Sequence, residues 1–208
     1  MNKPVLTTML LSAIAAFAMP AHAQGLLDGD AEAGAAKAAP CVACHGVAGN
    51  SVSPEWPKLA GQGAKYTYGQ LLAFKDGTRS NPIMAGQVAN LSDQDMKDIA
   101  VYYAQQTPSL GAADPALVET GEAIYRGGNK ETDTAACLAC HGPRGIGNAA
   151  ASYPRIAGQQ ATYTENQLKA YRARERAGTD HARMMVDVAD RLTDEEIKAL
   201  ASYLQGLH

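Results

Sequence analysis

Beyond its amino terminus the chain has no apolar run near the ~20 residues that a membrane-spanning helix needs, so no transmembrane segment is expected. It has no excess of positive charge: 18 Lys and Arg stand against 21 Asp and Glu, a net charge of −3 spread evenly over both halves. No basic field exists to recruit nucleic acid. It also lacks any alternating apolar and polar run that would make a convincing strand, which points to an all-α fold. Finally, it has only four cysteines, at positions 41, 44, 137 and 140.

What is present begins with Lys3, an apolar stretch from about Val5 to Met19, and Ala21-His22-Ala23. A short apolar core ending in a small-x-small triplet is the pattern of an export signal cut after residue 23, against the rival of an uncleaved anchor. Residues 1–23 are therefore expected to be removed, leaving an exported chain from Gln24 whose net charge, with Lys3 gone, is 17 − 21 = −4. Four cysteines in an oxidising compartment would by default form two disulfides.

The rest of the chain is written twice. "PKLAGQ" at 57–62 recurs as "PRIAGQ" at 154–159; Tyr66, Thr67, Gln70 and Leu71 recur as Tyr163, Thr164, Gln167 and Leu168, all 97 positions on. "CVACHG" at 41–46 recurs as "CLACHG" at 137–142. "LSDQDMKDIAVYY" from Leu91 is answered by "LTDEEIKALASYL" from Leu192, now 101 positions on, which locates a small insertion around "RARERAG". A repeat of this kind means two copies of one structural unit. Pro108, Gly111 and Pro115 break the chain between them, so the expected domains are 24–110 and 111–208.

Ser92 and Thr193 are expected N-caps, with Asp95 and Glu196 three residues on as capping-box partners. After them Met96, Ile99, Ala100 and Tyr103, and likewise Ile197, Leu200, Ala201 and Leu204, follow the i, i+3, i+4, i+7 spacing of a helix burying one face. Asp114 and Pro115 open another helix running to about Arg126, and a further one is expected from Ala161 to Ala177. Arg172, Arg174 and Arg176, two apart, would spread around that helix as a solvated surface, with contact to a partner or to a cofactor carboxylate as the minor reading. His181 is expected in a solvent-facing loop, and Trp56 and Tyr153 either beside a cofactor edge or in ordinary core.

Cys-x-x-Cys followed by His brings two thiols to one side of a helical turn with an imidazole next in line, the pattern of c-type haem attachment. A redox dithiol would want a βαβ setting, a zinc site would want a second ligand pair nearby, and plain disulfides would leave a histidine after each pair as a coincidence repeated. The favoured reading is two covalently bound c-type haems, with thioethers from Cys41, Cys44, Cys137 and Cys140 and iron ligation by His45 and His141. Each unit of roughly 90 residues has a thin core by size scaling, and such a group would supplement it.

A second axial ligand decides between electron carriage and substrate chemistry. Met84 lies seven residues before Leu91 and Met185 seven before Leu192, each in a stretch expected to be a loop. They are the candidates, with Met184 the rival of Met185 and core filling the alternative for any methionine. Met96, matched by Ile197 on a buried stripe, is packing.

With "NPIM" and "RMM" ahead of the last helices, these motifs resemble the dihaem cytochrome c4 family, tandem class I cytochromes c of bacterial periplasms. The resemblance covers the whole mature chain. It implies two class I domains, His45 and Met84 on one iron, and His141 and Met185 on the other. It further implies that the carbonyls of Pro57 and Pro154 accept hydrogen bonds from the histidine Nδ1 atoms, and that Gly34 and Gly121 let terminal helices cross closely. The ten-residue "GGNKETDTAA" enlarges the loop before the second cysteine motif, where the two units should differ.

The implied function is a periplasmic electron carrier, not an enzyme, taking electrons from a membrane quinol:cytochrome c oxidoreductase to a terminal oxidase, with peripheral membrane association possible. Two alternatives stand beside it: the cytochrome subunit of a flavin-containing dehydrogenase complex, and a dihaem peroxidase. The last needs an open iron position, against which the paired methionines argue.

Overall fold

The computed structural model describes residues 27–208; the expected cleavage after Ala23 lies outside them. No strand forms among the described residues, and the architecture is all-α. The first unit contains α1 (Ala31–Lys37), α2 (Val42–His45), α3 (Ala64–Asp76), α4 (Pro82–Val88) and α5 (Asp93–Ala104); the second contains α6 (Pro115–Gly127), α7 (Leu138–His141), α8 (Ala161–Arg172), α9 (Asp180–Ala189) and α10 (Asp194–Gly206).

The starts of these helices are set by side chains that satisfy otherwise unpaired backbone donors. Asp30 caps α1 by accepting from the amides of Glu32 and Ala33. Ser92 with Asp95, and Thr193 with Glu196, form complete capping boxes on α5 and α10, as their spacing predicts. Asp114 caps α6 with Pro115 in its first turn. The expected apolar stripes of α5 and α10 are all buried.

In each unit the first and last helices cross, α1 on α5 and α6 on α10. Gly34 and Gly121 sit at the two crossings: a Cβ on Gly34 would lie 2.1 Å from the carbonyl oxygen of Asp98, and one on Gly121 2.5 Å from that of Ala199. Close backbone approach, not flexibility, is what these glycines supply. Beside the first crossing the carboxylate of Asp98, only 2% exposed, accepts from the Asp30 amide at 2.8 Å, from Gln94 Nε2 at 2.8 Å and from Lys37 Nζ at 2.7 Å. A buried charge this well partnered fixes α1 on α5.

The expected differences between the copies are visible. Residues 129–134 close on themselves through reciprocal backbone bonds between Asn129 and Thr134, and Asn129 reaches the Glu196 carboxylate at the start of α10. The contiguous buried apolar cluster of the second unit runs to ten residues, including Ile124, Tyr125, Leu200 and Leu204; that of the first is Ala38, Ile99 and Tyr103.

Four expectations need correction. Helix α8 ends at Arg172, not Ala177: Arg174 adopts φ +61° and the amides of Glu175 and Arg176 both turn back to the Ala170 carbonyl. The first copy makes the same turn with Gly77 at φ +82°, so a left-handed residue ends both helices and only one is a glycine. Second, Arg176 is no solvated side chain; it is 7% exposed. Third, Met84 and Met185 stand on helices, not loops, because Asn81 with Pro82 and Thr179 with Asp180 start α4 and α9 just ahead of them. Fourth, His181 stands in the first turn of α9 and not in a loop.

Candidate functional site

Each hexapeptide folds into one short helical turn that ends at its histidine. The following residue, Gly46 or Gly142, takes φ +74° and ψ 170° or φ +75° and ψ 164°, a region open essentially to glycine alone. That conformation turns the chain away at once, and it explains the sixth letter of the motif.

His45 and His141 are each 6% exposed. In each ring Nδ1 donates to a proline carbonyl, Pro57 for His45 and Pro154 for His141, both at 2.9 Å. A carbonyl can only accept, so the proton is on Nδ1 and the Nε2 lone pair is left for a metal. Burial holds both imidazoles below their ordinary pKa, the proline carbonyls offsetting part of that effect. The neutral ring is the ligating form.

The four cysteines form no disulfide with one another. Burial pushes the thiol of Cys41 up, and that of Cys137 to about 11. Neither is the low-pKa thiolate of a redox dithiol. Among the described residues no three His, Cys, Asp or Glu side chains gather to hold a metal ion.

The two candidate methionines differ in setting from their neighbours. Met185 packs against the cluster that also borders Cys137 and Leu138, whereas Met184 is 45% exposed. Met84 is half-buried, its amide bonded to the Asn81 side chain at 3.0 Å. His181 lies in the first turn of α9 instead of a loop; it is exposed and meets the Ala151 carbonyl at 3.0 Å, with the ring of Tyr153 edge-on at 5.6 Å. Trp56 is half-buried, and its carbonyl accepts from the Ser51 hydroxyl.

A cluster that sequence reasoning missed lies where the units meet. Arg79 donates to Gln70 of its own unit and to Tyr163 and Gln167 of the other; Arg176 donates to Gln167 of its own unit and to Tyr66 and Gln70 of the other. Each guanidinium stacks on an aromatic ring, Arg79 on Phe74 at 4.5 Å and Arg176 on Tyr171 at 4.7 Å. Among the described residues neither has an acidic partner, so two positive charges share a pocket of neutral amides and phenols. Burial opposes ionisation of the Tyr163 phenol, but attraction to Arg79 and Arg176 outweighs it and holds that phenol below its ordinary value. The signal was available: Tyr66, Gln70 and Arg79 recur as Tyr163, Gln167 and Arg176, all 97 positions on.

These features fit a haem in each unit. In each unit two thiols precede a neutral imidazole with a free nitrogen. Thr67 Oγ1, Tyr103 Oη and Arg155 Nε are buried with no hydrogen-bond partner, as expected of a protein that a polar-edged group completes.

Comparison with known proteins gives the same result. The family model described as cytochrome c matches residues 31–107 and again 118–208. Cytochrome c4 of Pseudomonas aeruginosa is 46% identical over 208 residues, covering 100% of both chains. The crystal structure of reduced recombinant cytochrome c4 from Pseudomonas stutzeri is similar with a TM-score of 0.83 at 46% identity, covering 86% of this chain and 100% of that one. A thiosulfate dehydrogenase electron acceptor of Thiomonas intermedia is 37% identical over 175 residues, 81% of this chain and 78% of the relative.

Proposed function

Because the chain belongs to the cytochrome c family, as a dihaem cytochrome c4, we propose that it is a periplasmic carrier moving electrons from a membrane quinol:cytochrome c oxidoreductase to a terminal oxidase. It is an electron-transfer protein with two c-type haems held in two class I domains. A domain junction near residue 110 and export with cleavage after Ala23 are part of the proposal, the former supported by the gap between the matched segments 31–107 and 118–208. Among the described residues no helix is long and apolar enough to cross a membrane.

When bound, each haem supplies an iron that gains and loses one electron. Cys41 and Cys44, and Cys137 and Cys140, are assigned to the thioether links. His45 and His141, through Nε2, and Met84 and Met185, through their thioether sulfurs, would be the residues that hold the irons. Pro57 and Pro154 fix the ring orientations through Nδ1 and increase the imidazole donor strength. With the ligands braced on helices α2, α4, α7 and α9, the polypeptide need not rearrange when an electron arrives. The observation that carries this assignment is the doubled set of neutral, carbonyl-oriented histidine and neighbouring thiol pair.

A second reading, an acceptor serving a dehydrogenase, is favoured by the likeness to the thiosulfate dehydrogenase electron acceptor. Stopped-flow mixing separates the two. The oxidised protein should be reduced by quinol-energised membranes and reoxidised by oxidase-containing membranes. Reduction only on addition of a soluble dehydrogenase and its substrate would move the protein to the second reading.

A further inference from the structure

The acceptor that orients each histidine is the carbonyl end of a single peptide group, and the amide end of that group is held by the opposite domain. The Pro57 carbonyl accepts from His45 Nδ1 at 2.9 Å, while the amide of the same peptide, on Lys58, donates to Gln159 Oε1 at 2.8 Å. In the second unit the Pro154 carbonyl accepts from His141 Nδ1 at 2.9 Å, and the Arg155 amide donates to Gln62 Oε1 at 2.8 Å. We propose that Gln159 and Gln62 are positioning residues that act across the domain boundary, each setting the electron-donor strength of the iron-binding histidine in the unit to which it does not belong.

The inference rests on the assignment of His45 and His141 as iron ligands. Its physical basis is the conjugation of the peptide group. A hydrogen bond accepted from the N–H polarises the amide and makes its oxygen a better acceptor, so bonds at the two ends strengthen one another. A stronger acceptor on Nδ1 makes the imidazole a stronger donor through Nε2. That favours the more highly charged, oxidised metal and lowers its reduction potential. Loss of the glutamine should have the opposite effect.

The glutamines are built to hold this aim. Gln159 Nε2 returns to the Lys58 carbonyl at 2.9 Å and Gln62 Nε2 to the Arg155 carbonyl at 2.9 Å, so each side chain grips one residue of the other unit at both of its backbone groups. Each Oε1 also accepts the next amide of its own chain, from Gly63 or Gln160, both at 2.9 Å. The cavity bordered by Lys58, Gln62, Arg155 and Gln159 has a volume of about 10 Å³, room for at most about one water. Solvent is thus poorly placed to replace a lost amide bond. The consequence is reciprocal coupling: the state of docking is felt at both irons, and each domain carries part of the other's ligand environment.

Redox titration of the holoprotein by NMR, with the Nδ1–H resonances of the two histidines assigned in the reduced state, tests the arrangement. Gln159→Met should raise the potential of the first site alone, and Gln62→Met that of the second site alone. We expect roughly a threefold change in the reduced-to-oxidised ratio, about 30 mV given 59 mV per tenfold for one electron. The Nδ1–H resonance of the opposite unit's histidine should move upfield with the weaker bond. Gln160→Met supplies a docking control. It removes a 2.7 Å contact to the Ser51 carbonyl without touching either relay peptide, and should shift neither potential. Gln159→Asn and Gln62→Asn, shorter by one methylene but still polar, should repeat the crossed pattern if the methionine variants fold poorly. Equal shifts at both sites, a shift confined to the variant's own unit, or unchanged potentials would overturn the relay. An iron spectrum indifferent to His45→Ala or His141→Ala would overturn the ligand assignment beneath it.

Discussion

Replacing Cys41 and Cys44 together with alanine is expected to unfold the first unit, removing on the order of 5 kcal/mol, comparable to the whole stability margin of a small domain. The second unit should survive as a folded, coloured protein. Changing Cys137 and Cys140 instead should be milder in its structural effect. The reason is the unequal support in the two copies: around the α1 and α5 crossing the contiguous cluster is Ala38, Ile99 and Tyr103, with Cys41 packed at its edge. Ten buried residues join α6, α8 and α10 in the other copy. A unit whose contiguous buried cluster is this small draws part of its folding free energy from the group that it binds. Hydrogen exchange read by mass spectrometry separates the two variants, because protection reports local opening. The first should lose protection throughout α1 and α5, and the second should keep it in α6 and α10. Native-like protection of α1 in Cys41→Ala/Cys44→Ala would refute this ranking.

Gly34→Ala and Gly121→Ala should each destabilise their unit by about 3 kcal/mol or more, larger than most single substitutions. The new Cβ on Gly34 would stand 2.1 Å from a carbonyl oxygen and 2.5 Å from a carbonyl carbon of Asp98; on Gly121 it would meet the Ala199 oxygen and the Tyr203 Cβ, both at 2.5 Å. These obstacles are mostly backbone, so no rotamer change relieves them and the helices must part. Helix propensity favours alanine by only ~1 kcal/mol, too little to compensate. Gly69→Ala is the matched control. It lies in α3 with nothing within 4 Å of the added carbon, and the corresponding residue of the second copy is Asn166. That variant should be neutral or slightly stabilising. Urea unfolding of the three proteins would show the ordering directly, and equal midpoints would contradict it.

What could be read from the sequence was whatever repeats locally or follows a fixed period. The capping boxes at Ser92 and Thr193, the stripes on α5 and α10 and the hexapeptides depend on residues within one or two turns of each other. Gly34 and Gly121 were reached through family likeness, and the histidine to proline carbonyl bonds likewise. The two methionines share one repeat position, seven residues ahead of Leu91 and Leu192, but they stand on helices where loops were expected. Asn81-Pro82 and Thr179-Asp180 are start signals for helices short enough to be taken for loops. The end of α8 was missed because Arg174 occupies a left-handed position where the first copy has Gly77, and no glycine marked the break. Arg79, Arg176, Gln62 and Gln159 escaped for a different reason. Their partners lie 84 to 110 positions away in the other unit, and helical periodicity carries no information about which face of one domain meets the other. Only the constant offset of 97 between the pairs hinted at a shared, reciprocal surface.

The proposed electron transfer requires two irons, each ligated by a histidine nitrogen and a methionine sulfur. The most direct measurement is the absorption band for charge transfer between methionine sulfur and ferric iron in the oxidised protein, recorded for the parent and for Met84→Ala, Met185→Ala and Met184→Ala. Met84→Ala and Met185→Ala should each abolish one of two contributions, and Met184→Ala should leave both. A parent protein without the band, or loss of intensity on replacing Met184 in place of Met185, would contradict the assignment.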